Sequence, residues 1–313
     1  MKSRVIAPVV AFVLVLLTFA GCAPSGGTYA EGNKLRVVCT LFAPYDFVKQ
    51  VAGDLAQVSM LLPPGVESHS YDPTPKDIIN IENADVFFYV SRSTETWVGK
   101  ILDSIDAPGP ETVDIAEDAG IELHDHHHED EEHGEHEEET DEHIWTNPVT
   151  AVKMVRVIES RLARIDPENA SAYIKNGESY IVRIQELDRE LRQLVARSKR
   201  REIVSGSRFA MRNFTEEYGL EYTAAFDSCI DNTEPSAAVM GTIIDKIRGD
   251  NIPVIFYEEL TDPKIARSVS RETGAKMLLL HSCHNVSADE FKRGETYLSL
   301  MRRNYLNLKE ALN

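Results

Sequence analysis

The chain has 313 residues, with 33 Lys and Arg against 51 Asp and Glu, so its formal net charge is -18. This acidic balance argues against a nucleic-acid partner, because phosphate binding needs clustered basic side chains. With 42% hydrophobic residues the chain can bury a core, which excludes a wholly disordered protein.

The N-terminus has the pattern of an export signal. A basic start precedes an apolar run over residues 5–20, which is too short for an ordinary membrane-spanning helix. The run ends in Gly21-Cys22, and a small residue before a Cys is typical of bacterial lipoproteins. We therefore expect residues 1–21 to be removed, Cys22 to carry the lipid, and residues 22–34 to form a tether. A plain secretory signal followed by a chance Cys is the alternative.

Beyond the tether, short apolar runs alternate with helical patterns. In the first half, strands are predicted over 35–39, 57–62 and 86–90, and helices over 44–56 and 74–82. In the second half, strands are predicted over 202–205, 221–226, 254–257 and 276–280, and helices over 209–218, 236–248, 263–273 and 297–312. This alternation indicates βαβ units and parallel sheets, with one architecture in both halves.

Two helices are predicted between the halves. The first begins at Asn147-Pro148 and runs to about residue 164. Asp166-Pro167 then favours a restart, with Asp as the N-cap and Pro at the first helical position. Apolar residues at helical spacing continue to about residue 199, so this helix has about 30 residues and a length of roughly 45 Å. Such a helix suits a rigid strut between two lobes.

The predicted fold class is therefore α/β, with two lobes of parallel sheets flanked by helices and bridged by one long rigid helix. The N-terminal lobe covers residues 35–165, the linking helix 166–200 and the C-terminal lobe 201–313. Loops at the carboxyl ends of parallel strands line the ligand crevice in such folds, so a site is expected in the cleft between the lobes.

Residues 122–142 form a separate compositional segment. They contain 12 carboxylates and no Lys or Arg. Their six histidines are His124, His126, His127, His128, His133 and His136. The segment lacks periodicity and cannot form a core, but its imidazoles can bind zinc weakly while its carboxylates attract cations. It is expected to act as an auxiliary metal loop, and a solvated acidic linker is the alternative.

Two histidines outside this cluster stand in motif-like surroundings. His69 lies in a loop rich in Pro and Gly that ends in YDPTP at 71–75. His143 lies in the string DEHIWTNP at 141–148. Trp145 can pack beside His143, and Asp141 or Glu142 could accept its second N–H, which is the usual support for a metal-binding imidazole.

Together these motifs resemble the solute-binding lipoproteins of bacterial zinc and manganese ABC importers. The resemblance continues in VCTLFAPYDF at 38–47, ADV at 84–86, ETW at 95–97, EYGL at 217–220, TEPS at 233–236 and ETGAK at 272–276. It covers about residues 35–312. It implies two α/β lobes joined by a long helix, metal in the cleft, a membrane permease as partner, a lipid anchor in the membrane and an extracytoplasmic location on the periplasmic or cell-surface side.

The chain departs from this family at two expected ligands. Where the family has a third His after the long helix, the segment 205–214 has none, and Arg208 stands nearest. A guanidinium stays protonated and cannot coordinate a cation. Where the family has a carboxylate after the last strand, this chain has His281, followed by His284.

The expected metal ligands are therefore His69, His143 and His281, with His284, Glu234 and Glu258 as possible further ligands. A nitrogen-rich set favours zinc over manganese, which prefers oxygen donors. His281 and His284 could instead hydrogen-bond a turn around a disulfide. Pairing of Cys229 with Cys283 is plausible in an exported protein, and a metal-binding thiol is the alternative.

The leading prediction is a monomeric receptor that captures zinc outside the cytoplasm and delivers it to an ABC importer. A manganese-specific receptor and a metal-buffering lipoprotein acting through its His-rich loop are alternatives. A zinc hydrolase is disfavoured, because the chain has no His-Glu-x-x-His helix, Gly-x-Ser-x-Gly elbow or phosphate-binding glycine loop. The protein is therefore not expected to be an enzyme.

Overall fold

The computed structural model describes residues 34–67, 71–105, 109–123, 141–226 and 236–313. Residues 35–313 form one compact unit. Within the described ranges, no helix combines the length and apolar character needed to cross a bilayer.

The N-terminal lobe is built around a four-stranded parallel sheet with the order β2-β1-β3-β4. Its strands are β1 (Leu35–Cys39), β2 (Ala56–Met60), β3 (Val86–Tyr89) and β4 (Glu111–Asp114). Its helices are α1 (Phe42–Ala52), α2 (Pro75–Glu82), α3 (Thr96–Leu102) and α4 (Ile115–Asp118). β1 pairs with β2 from Leu35 opposite Ala56 and with β3 from Val37 opposite Val86.

Two long helices follow. α5 spans Pro148–Ile165 and begins at an Asn147 cap whose side chain accepts the Val149 N–H. α6 spans Ala170–Arg197 and is 28 residues long, about 42 Å at 1.5 Å per residue. The predicted N-cap at Asp166 is wrong, since α6 begins four residues later. Asp166 instead accepts hydrogen bonds from Asn169 and from the Tyr173 hydroxyl within the turn between the helices.

The C-terminal lobe repeats the strand order of the first sheet, as β6-β5-β7-β8. Its strands are β5 (Glu202–Ser205), β6 (Glu221–Ala224), β7 (Val254–Tyr257) and β8 (Lys276–Leu279). Its helices are α7 (Arg212–Tyr218), α8 (Ala237–Gly249), α9 (Lys264–Thr273), α10 (Ala288–Arg293) and α11 (Tyr297–Leu312). The predicted α/β class with two parallel sheets and a long connecting helix is confirmed.

One hydrophobic core joins the two lobes. It includes Val37 and Val86 from the first sheet, Ile203 and Val254 from the second, and Leu187 from α6. A buried polar contact reinforces this junction, because the Asp46 carboxylate of α1 accepts the Tyr180 hydroxyl of α6 and the Tyr297 N–H of α11, each at 2.9 Å. The strut is therefore packed against both lobes, which fixes the floor of the cleft between them.

Candidate metal centre

His143 is held in one orientation by Asp141. The Asp141 Oδ1 atom accepts the His143 backbone N–H at 3.0 Å and contacts the ring Nδ1 at 2.8 Å. The other carboxylate oxygen accepts the Asn213 side-chain amide at 2.9 Å, so Asp141 is itself fixed by α7. Because Nδ1 faces a carboxylate, it holds its proton in that contact, and a metal ion would bind the ring through Nε2 by displacing the proton on that atom.

His284 meets this Nε2 atom from the other lobe. It lies five residues after the end of β8, and its Nδ1 is 3.2 Å from the Nε2 of His143. Both rings are withdrawn from solvent, with His143 1% and His284 7% exposed. Zinc–nitrogen bonds of 2.0–2.1 Å in a tetrahedron place two nitrogens about 3.3 Å apart. The observed spacing is that of a hydrogen bond between the two rings, and it also matches the separation of two imidazole nitrogens on one metal ion.

Glu142 brings an oxygen donor to the same place. Its Oε1 lies 3.6 Å from the Nε2 of His284 and 4.0 Å from the Nε2 of His143. One ligand atom from each of these three residues lies within 4.8 Å of the other two. Among the described residues this group could hold a metal ion through two nitrogens and one oxygen.

Trp145 supports both histidines at once. Its ring centroid lies 5.4 Å from that of His143 and 5.2 Å from that of His284. Its indole N–H donates to the Ser282 carbonyl at 2.8 Å. Trp145, two residues after His143 in the N-terminal lobe, thus helps to fix the turn of the C-terminal lobe that carries His284.

The turn that presents His284 is held by a carboxylate from the neighbouring strand. Glu259, which follows β7, accepts the Ser282 N–H at 2.9 Å and the Ser282 hydroxyl at 2.5 Å. The Ser282 hydroxyl oxygen in turn accepts the His284 N–H at 3.2 Å. Cys283 has a φ of 60°, a left-handed conformation that non-glycine residues rarely adopt. This conformation lets the chain reverse so that His284, rather than His281, enters the cleft.

The electrostatics of the site favour a cation. Although burial lowers the pKa of His143, the hydrogen bond that its ring donates to Asp141 and the negative charges of Asp141, Glu142 and Glu258 raise it to about 9. Burial, together with the neighbouring Glu259, raises the pKa of Glu258 to about 8. Several carboxylates thus face one small volume, where a divalent cation would relieve their mutual repulsion.

A small cavity opens beside His284. The described residues leave about 30 Å³ there, enough for one or two water molecules or a partly hydrated ion. Glu67 and Val66 line it from the N-terminal lobe, and Arg208, Glu258 and Glu259 from the C-terminal lobe. Arg208 approaches Glu67 at 3.8 Å, so the position where the family's third His was expected carries an inter-lobe ion pair.

His281 does not reach the cleft with His143. It is 0% exposed, its backbone is paired with Asn304 in both directions, and its Nδ1 accepts the Cys283 N–H at 2.9 Å. Its Nε2 lies 3.8 Å from Glu290, and Nδ1 lies 3.3 Å from Glu259. The structure therefore brings together His143 and His284, and it places the His281 ring in the interior near Glu259 and Glu290.

The predicted pairing of Cys283 with Cys229 is not tested by the described residues. Cys283 is a free thiol buried in the core among the described residues. Cys229 lies outside those residues, and the disulfide stays a prediction. Cys39, predicted as a small hydrophobe in a strand, is likewise a buried free thiol in β1.

Several other predicted positions lie outside the described residues. They are Cys22, His69, Glu234 and the six histidines His124, His126, His127, His128, His133 and His136. The ends of the acidic segment are described and belong to the fold. Leu123 packs against the core, while Asp141 and Glu142 belong to the metal centre. The expectation that residues 122–142 cannot contribute to a core is therefore wrong at Leu123.

Glu142 and Glu259 belong to the candidate centre in places that the sequence does not predict, Glu142 as an oxygen donor and Glu259 as an acceptor for the turn of His284. The sequence predicts Glu142 only as an alternative acceptor for the ring N–H of His143, and in the structure Asp141 makes that contact. Its adjacency to His143 was the available signal. Glu259 had no such signal, because its contact with Ser282 joins residues 23 positions apart in the chain.

The fold and the donor cluster together define a class: a two-lobed α/β binding protein with a metal centre between its lobes. The chain belongs to the ZnuA family, described as zinc-uptake complex component A, periplasmic, which matches residues 37–311.

Known relatives extend this assignment. The high-affinity zinc uptake system protein ZnuA of Bacillus subtilis is 33% identical over 304 residues, covering 95% of this chain and 94% of that protein. The zinc-binding lipoprotein AdcA of Streptococcus pneumoniae is 33% identical over 285 residues, covering 90% of this chain and 56% of that protein. The chain thus spans a little over half the length of AdcA.

Solved structures share the fold. The metal-dependent lipoprotein YcdH of Bacillus subtilis superposes with a TM-score of 0.76 at 33% identity, over 89% of this chain and 99% of that one. The Zn(II)-bound ZnuA-like domain of Streptococcus pneumoniae AdcA gives a TM-score of 0.74 at 31% identity, over 90% and 99% of the two chains.

Proposed function

We propose that this protein is an extracytoplasmic receptor that captures zinc in the cleft between its lobes and delivers it to an ABC-type importer. The observation that carries the proposal is the buried meeting of His143 and His284 at 3.2 Å, with Glu142 alongside. Zinc-binding relatives that share the fold support the choice of metal.

The proposed ligands are His143, His284 and Glu142, completed by His69. His69 follows Glu67 by two residues, and Glu67 lines the cavity beside His284. Glu258 is an alternative oxygen ligand, because it lines the same cavity as His284. Three nitrogens and one oxygen in a small, withdrawn site favour zinc, whereas manganese prefers a set dominated by oxygen.

Asp141 and Trp145 have supporting roles in capture. Asp141 keeps the Nδ1 of His143 occupied, so that Nε2 faces the metal. Trp145 joins the two histidines through ring contacts and through its hydrogen bond to Ser282. Such outer contacts preset the ligand geometry and reduce the ordering that the metal would otherwise have to impose.

The remaining parts of the proposal concern delivery. Cys22 carries a lipid that keeps the receptor at the membrane, on the periplasmic or cell-surface side. The receptor acts as a monomer. It binds and delivers zinc and catalyses no reaction. The family's description as part of a zinc-uptake complex supports a membrane permease as the partner. The histidines of residues 124–140 collect zinc weakly.

Competitive zinc titration against a chelator tests the proposal on the mature chain and on a variant lacking residues 124–140. The expected result is one tight site in both proteins, with the weak additional zinc equivalents lost from the deletion variant. Loss of the tight site on deletion would favour a buffering lipoprotein that acts through its His-rich loop. Stronger binding of manganese than of zinc in the deletion variant would favour a manganese receptor.

A further inference from the structure

The turn that carries His284 is tied to the N-terminal lobe by the residue that follows it. Asn285 is 2% exposed and uses its whole side-chain amide. Its Nδ2 donates to the carbonyl oxygens of Pro63 and Val66, both at 2.8 Å. Its Oδ1 accepts the Val286 N–H at 2.8 Å.

The partner of Asn285 is the loop after β2, residues 63–67, which we call the clasp loop. Backbone contacts extend the same junction, because the Gly65 N–H donates to the Val286 carbonyl at 2.8 Å. Close by, the Phe42 N–H of the N-terminal lobe donates to the His284 carbonyl at 3.2 Å. Gly65 has a φ of 87°, which a side chain would disfavour, so the loop is shaped for this contact.

These contacts fix the C-terminal ligand from the opposite lobe. The turn that carries His284 is bonded to the N-terminal lobe on both sides of this residue, through the Ser282 carbonyl before it and through Asn285 and Val286 after it. The backbone bonds would form with any residue at position 285, but the two bonds to the Pro63 and Val66 carbonyls need a side chain with two N–H donors at this length. Asparagine is the residue that supplies them.

We infer that Asn285 is a positioning residue for metal capture, which clamps the His284 turn to the clasp loop and sets how long the cleft retains its zinc. The inference rests on the proposed function. Its physical basis is preorganisation, because ligands held in place before binding do not have to be ordered by the metal. When the clamp is removed, His284 leaves more readily and the dissociation rate rises.

Asn285→Asp is the sharpest variant. It keeps the size and the acceptor for the Val286 N–H, but it places an oxygen opposite two carbonyl oxygens. Asn307→Asp is a matched control, since Asn307 donates to the Leu279 carbonyl at 2.8 Å entirely within the C-terminal lobe. Asn285→Ser, which removes both donors without adding charge, serves if the Asp variant does not fold.

The experiment loads each mature chain with one equivalent of zinc and follows the slow phase of release into excess chelator. We expect Asn285→Asp and Asn285→Ser to release zinc at least tenfold faster than the unaltered chain, and Asn307→Asp to stay within twofold of it. Amide hydrogen exchange at Gly65 should be faster in the two Asn285 variants alone.

Equal release rates for the Asn285 variants and the unaltered chain would overturn the inference. So would equal acceleration by Asn307→Asp, because that result assigns the effect to general destabilisation. If the unaltered chain itself shows no slow phase, the proposed zinc receptor is overturned together with the role of Asn285. If the unaltered chain shows the slow phase and the Asn285 variants release zinc at the same rate, only the role of Asn285 is overturned.

Discussion

The two sheets have the same strand order, and similar residue types follow corresponding strands, but these residues make different contacts. Histidines follow the matching outer strands, with His143 after β4 and His284 after β8. Carboxylates follow the matching strands β3 and β7, where Glu95 accepts the Val90 N–H and Glu259 accepts the Ser282 N–H. The repeated fold thus determines where functional residues can stand, and the local turn determines whether they face the cleft or the protein interior.

The largest expected effect is at the N-terminal edge. His143→Ala removes a donor that Asp141 and Trp145 hold in place, and we expect zinc affinity to fall at least a hundredfold, about 2.7 kcal/mol. Competitive titration in the protein lacking residues 124–140 measures the loss. A fall of less than tenfold would show that the N-terminal lobe binds zinc without this imidazole.

The C-terminal edge has a steric constraint that can be tested through stability. A Cβ atom on Gly206, just after β5, would lie 2.7 Å from the Cα and N atoms of Ala266 in α9. Gly206→Ala should therefore lower the free energy of unfolding by about 2 kcal/mol, as expected for overpacking against backbone. Gly241→Ala in α8 is the control, because a Cβ there meets nothing within 4 Å. Equal stabilities of the two variants in urea unfolding would contradict the close packing.

Trp145 connects the carboxyl edges of the two sheets, because it contacts His143 in one lobe and His284 and Ser282 in the other. Trp145→Phe keeps an aromatic ring between the histidines but leaves the Ser282 carbonyl without its indole donor. Zinc affinity should fall about tenfold, roughly 1.4 kcal/mol. Trp97→Phe, which alters a Trp in α3 packed against Tyr71, should leave the zinc affinity unchanged. The assigned role fails if both variants titrate like the unaltered protein.

A smaller effect is expected on the pH dependence of stability, and it arises from the buried carboxyl group of Glu95. Burial, aided by the charge of Glu142, raises the pKa of Glu95 to about 8. Between its ordinary value of 4.5 and about 8, the folded state therefore holds more protons than the unfolded state, and the free energy of unfolding falls as the pH rises.

Glu95→Gln should remove this decline. Relative to the unaltered metal-free protein, the variant should gain on the order of 1 kcal/mol between pH 5 and pH 8. Urea unfolding at the two pH values measures the change. Parallel pH dependences of the two proteins would show that Glu95 does not titrate in this window.

The sequence was most informative where apolar runs are strong. β3, with four consecutive buried residues, and α6, with apolar residues at helical spacing, were both predicted close to their observed bounds. β4 was missed because Glu111–Asp114 contains one fully buried residue and reads as polar. α10 was also missed, although Ser287 and Glu290 form a capping box that the sequence displays.

The site was predictable only in part, because some of its contacts join neighbouring residues and others join distant parts of the chain. The orientation of His143 by Asp141 follows from residues two positions apart, which a sequence motif can reveal. The choice between His281 and His284 depends on the left-handed backbone of Cys283 and on contacts from Glu259 and Asn304. Those contacts join distant parts of the chain, and spacing alone does not encode them.

The most direct test of the account compares the two histidines of this turn. Zinc would be titrated into the protein lacking residues 124–140 that carries either His284→Ala or His281→Ala, with circular dichroism used to verify folding. We predict at least a hundredfold loss of zinc affinity for His284→Ala and less than a tenfold loss for folded His281→Ala. The reverse order would contradict the assignment of His284 as the ligand from the C-terminal lobe.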